Sequence, residues 1–181
     1  MDVSGAVDKN RSVKNLAASG VCLALCMLLP LITGQIPQVG MALAPMHIPV
    51  LLCGFVCGPF YGAVIGAVAP LLRYAIFGMP PIIPMGVAMC FELAVYGLIS
   101  GLLYRLLPKR VGFIYVALLA AMFIGRVVWG VARLLLSGVV VAPFTWQLFI
   151  ADAFINAVPG IVAHIVLIPL IVIALKRARY F

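Results

Sequence analysis

Apolar residues fill most of the chain in long runs, and the interruptions fall at proline, glycine or clustered basic residues. The runs cover about Val13–Thr33, Met46–Cys57, Phe60–Phe77, Met85–Leu107, Gly112–Leu136 and Trp146–Leu175. Five of the six have the length of a bilayer-crossing helix, which takes roughly 20 apolar residues. The run Met46–Cys57 is too short to cross upright, so it is expected to be tilted, sunk into the bundle or continuous with its neighbour. Gly58-Pro59 divides it from the next run, and Pro159-Gly160 and Pro169 are expected to kink a long last helix.

Composition makes lipid the solvent. Of 181 residues, 66% are hydrophobic and only 9% charged, and the mean hydropathy is +1.29, whereas soluble domains carry roughly 25% charged residues. The expected fold is an all-α integral membrane bundle of six transmembrane helices in a single domain: a short N-terminal segment over residues 1–12, the bundle over 13–175 and a basic tail over 176–181. A signal peptide is the poorer reading of the N-terminus, because Leu16–Ile32 is long for one and the cleavage-like triplet Ala42-Leu43-Ala44 lies well beyond it.

The formal net charge of +8 looks at first like a nucleic-acid signature. Position argues otherwise. Lys9, Arg11 and Lys14 precede the first run, Arg105, Lys109 and Arg110 flank the turn between the fourth and fifth, and Lys176, Arg177 and Arg179 close the chain. With an even number of spans, all these clusters fall on one side, and the positive-inside rule puts that side and both termini in the cytoplasm. The uncharged connections Gly34–Pro45, Gly78–Pro84 and Ser137–Thr145 then face outside.

Small residues recur at four-residue spacing. Gly54, Gly58, Gly62 and Gly66 form one series, Gly97 and Gly101 another, and Ala17, Gly20 and Ala24 line one face of the first span. Such stripes serve close packing within a bundle or docking of another membrane protein. Cys22, Cys26, Cys53, Cys57 and Cys90 all lie inside apolar runs with no histidine or carboxylate at ligand spacing, so they read as small apolar fillers and no metal site is expected.

Ionisable residues inside a span are costly and normally face a partner or a wet cavity. Here they are Arg73, Glu92, Arg126, Arg133 and Asp152, and counting from the expected helix ends puts all of them at or outside the midplane. Arg126, Trp129, Gly130 and Arg133 share one stripe of the fifth helix; Asp152 and Asn156 run down the sixth; Glu92 and Tyr96 stack on the fourth; His47 begins the short second segment at the outer rim. The bland reading pairs Arg133 with Asp152 and either Arg126 or Arg73 with Glu92. Three guanidiniums against two carboxylates still leave one positive charge over, and a bound anion would resolve it. A guanidinium meets a carboxylate bidentately, and Trp129 and Trp146 offer apolar walls, so the pattern fits a small acid with Arg73 or Arg133 as the clamp. His164 is expected toward the cytoplasmic half, away from this cluster.

No P-loop, no H-E-x-x-H and no nucleophile poised beside a histidine occurs in the sequence. The chain is therefore expected to be neither an enzyme nor an ATPase, with no cofactor. The stretches MHIPVLLCGFVCGPFYG from Met46, PLLRYAIFGMPP from Pro70, FELAVYG from Phe91 and DAFINAVPGIVAHIVLIPLIV from Asp152 resemble the substrate-binding S components of energy-coupling factor (ECF) vitamin transporters. The resemblance spans nearly the whole chain and leans toward the subgroup for which pantothenate has been proposed. It implies capture of a vitamin from outside a prokaryotic plasma membrane, and a partnership with a transmembrane coupling subunit and two cytoplasmic ATPases. In that family an Ala-x-x-x-Ala motif on the first helix meets the coupling subunit; its nearest match here is Gly20-x-x-x-Ala24 with Ala17 one turn earlier. The loops Gly34–Pro45 and Gly78–Pro84 would correspond to the family's substrate gates. The alternative reading is a stand-alone proton-coupled transporter of a small organic anion, with Glu92 or Asp152 as the titrating group.

Overall fold

The computed structural model describes residues 3–32, 43–137 and 145–178, and all regular elements among them are helical. Most of the loop expected over 34–45, the centre of the loop expected over 137–145, and Arg179 lie outside the described residues. The helices are α1 (Val3–Ile32), α2 (His47–Cys57), α3 (Pro59–Phe77), α4 (Val87–Leu106), α5 (Val111–Ser137), α6 (Trp146–Ile150) and α7 (Val158–Arg177). Five stretches are long and apolar enough to cross a membrane: Ser12–Ile32, Pro59–Phe77, Ile82–Leu106, Val111–Leu136 and Val158–Arg177. With the shorter apolar α2 they make the six-helix bundle. Outward faces are richly apolar, as at Phe60, 73% exposed, and Leu106, 72% exposed, which suits a surface wetted by lipid.

Of the three possibilities for the short second run, the structure takes burial. Nine of the eleven residues of α2 are buried, with Val50, Leu51 and Cys53 fully enclosed. Pro49 falls in the first turn of α2, where its missing N–H costs no helical bond. Gly58 ends the helix at φ +101°, a conformation that favours glycine, and Pro59 starts α3 at once. Ala44, just before α2, is also left-handed at φ +43°, and its carbonyl accepts from the backbone N–H of His47 at 3.0 Å.

Burial in lipid gives helices no hydrophobic reason to associate, so close packing has to hold them. The glycine series is used inside the molecule for that purpose. A Cβ on Gly62 would stand 2.6 Å from the carbonyl oxygen of Gly97, and one on Gly101 would stand 2.6 Å from that of Gly54. A Cβ on Gly66 would run into the Leu93 carbonyl. These contacts set α3 antiparallel to α4, Gly66 level with Leu93 and Gly62 with Gly97, and set α2 parallel to α4, with Ser100 Oγ donating to the Leu51 carbonyl at 3.4 Å. The stripe on α1 differs: Ala17, Gly20 and Ala24 are exposed, and nothing lies within 4 Å of a Cβ placed on Gly20.

Both connections at the outer ends of α4 and α7 are irregular. Gly78 caps α3 in the left-handed region at φ +69°, Met79–Pro80 and Ile83–Pro84 are cis, and an irregular turn over Ile82–Gly86 leads into α4. The expected continuous last helix is instead divided. After α6 the chain makes an irregular turn over Ala151–Ile155, passes Asn156 and Ala157, and restarts as α7 at Val158 with Pro159 in its first turn. Proline near a helix start replaces an orphan donor, so Pro159 begins a helix where the sequence pattern has it kinking one.

At the opposite end, Leu107 is extended ahead of Pro108, and the backbone N–H of Arg110 bonds the Pro108 carbonyl at 2.7 Å, which makes the tight turn expected there. Lys109 donates to the Tyr104 carbonyl, and Lys176 reaches the Lys109 carbonyl at 2.8 Å, tying the α4–α5 turn to the end of α7. Partial burial, helped by the charges of Lys176 and Arg105, holds the Lys109 ammonium below its ordinary pKa. Among the cysteines, Cys53 reaches Cys22 of α1 and Cys57 one turn on; all five are free thiols. No metal-holding group of His, Cys, Asp or Glu occurs among the described residues.

Candidate functional site

Polar and charged side chains collect in two tiers. The deeper tier lies at mid-depth and draws on four helices: His47 from α2, Glu92 and Tyr96 from α4, Arg126 from α5 and His164 from α7. Glu92 is 1% exposed and sits near the middle of the span Ile82–Leu106. Arg126 Nη1 approaches its Oε1 at 3.1 Å, and His47 Nε2 approaches its Oε2 at 3.6 Å. His47 Nδ1 faces the Ala44 carbonyl at 3.1 Å, so each nitrogen of this ring has an acceptor before it. The Tyr96 ring, 1% exposed, meets the His47 ring edge-on with centroids 5.3 Å apart. Gly125 makes room for it, since a Cβ there would overlap the Tyr96 ring.

Two sequence expectations change here. His47 does not mark the outer rim; the sinking of α2 carries it down to the level of Glu92 and Tyr96. His164 does not lie apart in the cytoplasmic half; its ring centroid is 6.0 Å from that of His47, and it is 3% exposed. Counting depth along one unbroken helix from Trp146 puts His164 about 27 Å down, whereas from the true start of α7 at Val158 it is about 9 Å down. The break in the last span accounts for the difference.

In the shallower tier the remaining candidates lie toward the outer end: Arg73 on α3 beside Phe77, and separately Trp129 and Arg133 on α5 with Trp146 and Phe149 of α6 and Asp152 and Asn156 of the turn after it. Arg73 is 9% exposed, with its guanidinium 5.7 Å from the Phe77 ring centre. Its Nη1 is buried and has no hydrogen-bond partner among the described residues. Arg133 stands over the Trp129 ring at 5.7 Å. Trp129 is 4% exposed, packs with Ala88 and stacks on Phe149 at 6.3 Å, and Trp146, largely exposed, also meets Phe149, at 5.2 Å. Gly130 leaves the space that Phe149 occupies. Asp152 Oδ1 accepts from Asn156 Nδ2 at 3.2 Å in the turn between α6 and α7.

The two possible partners for Glu92 thus resolve in favour of Arg126, and Arg73 is left as a buried cation at the outer end. Chemically, the tiers offer an apolar wall of indole and phenyl rings, a guanidinium with an unused donor above, and a neutralised acid flanked by imidazoles below. This arrangement suits recognition of a small polar molecule.

A family model described as "ECF transporter, substrate-specific component" matches residues 14–176. No curated protein and no solved structure is significantly similar to the chain. The family match covers the membrane spans apart from Ser12, Val13 and Arg177 at their extreme ends, and includes all the candidate site residues; the architecture of long apolar helices around a sunken short one agrees with it. The chain is a multi-pass membrane protein and belongs to the substrate-specific components of ECF transporters.

Proposed function

We infer that this chain captures a small carboxylate vitamin, with pantothenate as the best candidate, from outside a prokaryotic plasma membrane and passes it inward as part of an ATP-driven importer. The observation that carries this reading is Arg73. Arg73 is a largely buried residue whose Nη1 is enclosed without a hydrogen-bond partner among the described residues, which is expensive in a membrane and becomes favourable once an anion meets it. The substrate carboxylate is that anion. Arg133 frames it from α5, and Trp129, stacked on Phe149, walls the apolar part of the molecule. His47, Glu92, Tyr96 and Arg126 form the floor, and Asp152 with Asn156 closes the side toward α6.

Transport energy comes from partners in this reading: a transmembrane coupling subunit and two cytoplasmic ATPases. The exposed α1 face at Ala17, Gly20 and Ala24 supports the docking of the coupling subunit, because its small residues allow a second helix to approach closely. Thermal-shift measurements on the purified chain in detergent, without nucleotide, test the substrate class. A vitamin present at a hundred times its Kd stabilises the fold by about 2.7 kcal/mol. Pantothenate is expected to raise Tm; a panel of B vitamins that leaves Tm unchanged contradicts the reading. Affinity purification from native membranes is expected to bring two ATPases along.

A further inference from the structure

His164 is a buried imidazole packed against the His47 ring. It is 3% exposed, and neither ring nitrogen has a hydrogen-bond partner among the described residues. The Ala44 carbonyl approaches it, but that oxygen already accepts from both the backbone N–H and Nδ1 of His47. The carboxylate of the tier is likewise engaged, by Arg126 and His47. Arg126 in turn keeps a buried Nε with no partner. Leaving such groups unmade costs about 1–3 kcal/mol each, and an apolar residue at position 164 would avoid the cost. A fold that keeps them unsatisfied without substrate has placed them for something that arrives.

The geometry points to His164 as a substrate-recognition residue that reads a hydroxyl group, with Arg126 Nε as the donor beside it; this rests on the substrate-capture reading above. The reason is complementarity. An uncharged imidazole presents one N–H and one bare nitrogen. A carboxylate can meet only the N–H and an ammonium only the bare nitrogen, whereas a hydroxyl donates to one or accepts from the other whichever faces it. Arg126 Nε–H needs an acceptor, which a hydroxyl oxygen or an adjacent amide carbonyl supplies. The two tiers then divide the work: Arg73 at the outer end takes the charge, and the mid-depth tier takes the neutral hydrogen-bonding end. The substrate class is a small acid whose far end carries a hydroxyl, not one that is apolar throughout.

Titration calorimetry with purified chain tests this, using pantothenate, its deoxy analogue without the hydroxyl next to the amide, and the variants His164→Leu and His164→Gln. His164→Leu is expected to weaken pantothenate binding about ten- to a hundredfold, because it strands the ligand hydroxyl. Without ligand, its Tm is expected to equal or exceed that of the wild type, a result a purely structural histidine would not give. His164→Gln, which keeps a donor and an acceptor, is expected to recover part of the affinity. The wild type is expected to bind the deoxy analogue more weakly than pantothenate, with His164→Leu and wild type alike on the analogue. Equal wild-type affinity for pantothenate and analogue, or undiminished pantothenate binding by His164→Leu, overturns the assignment of His164 and leaves substrate capture standing. Failure of the wild type to bind any B vitamin overturns the capture reading itself.

Discussion

Glu92 on α4 and Arg126 on α5 meet at 3.1 Å, at mid-depth, where the carboxylate is 1% exposed. That pairing decides the charge balance of the bundle. It engages the Glu92 carboxylate and leaves Arg73 without it, which is why the anion-binding reading falls on the outer tier.

Breaking the pair from one side strands a charge. Glu92→Ala leaves the Arg126 guanidinium uncompensated, and the cost of removing one partner of a buried pair is about 3–5 kcal/mol. A marked fall in Tm in detergent is expected. The double variant Glu92→Met with Arg126→Met is expected to recover most of it, since replacing both members by apolar groups is close to neutral. A double variant as unstable as the single one contradicts the assignment.

The glycines divide into two classes that one experiment separates. At Gly97 a Cβ collides with the Gly62 backbone, so Gly97→Ala is expected to force α3 and α4 apart and to destabilise the chain strongly. At Gly20 a Cβ meets nothing, so Gly20→Leu is expected to leave Tm and vitamin binding unchanged. If α1 docks on the coupling subunit as proposed, Gly20→Leu abolishes vitamin uptake by the assembled importer while the chain alone still binds. Full uptake by Gly20→Leu places the docking surface elsewhere.

Trp129 and Trp146 are the two tryptophans of the chain, one buried beneath Arg133 and one 73% exposed. Substrate entering the outer tier changes the surroundings of the buried indole. An emission change on adding pantothenate is therefore expected to persist in Trp146→Phe and vanish in Trp129→Phe. The reverse pattern locates the ligand away from Trp129.

Much of the architecture is legible in the sequence because a membrane imposes a simple code. The length of an apolar run sets a span, and proline with glycine sets its end, so the bounds of α3, α4 and α5 fall within a few residues of expectation. The Pro108–Arg110 turn is equally plain. Depth is harder to read, because it depends on where each helix begins in space. The burial of α2 lowers His47, and the break after Ile155 raises His164, and no periodicity along a single run encodes either event. The use of the glycines is also settled only by their neighbours: Gly62 and Gly97 carry the same spacing signal as Gly20, yet two face each other and one faces outward.

Calorimetric titration of Arg73→Ala and Arg133→Ala beside the wild type, with pantothenate and no nucleotide, bears most directly on anion capture by an outer guanidinium. One vitamin is expected to bind each wild-type chain, with affinity falling by about a hundredfold or more in Arg73→Ala, in line with the loss of a charge-assisted hydrogen bond in a buried site. Wild-type affinity retained in both variants would contradict the account.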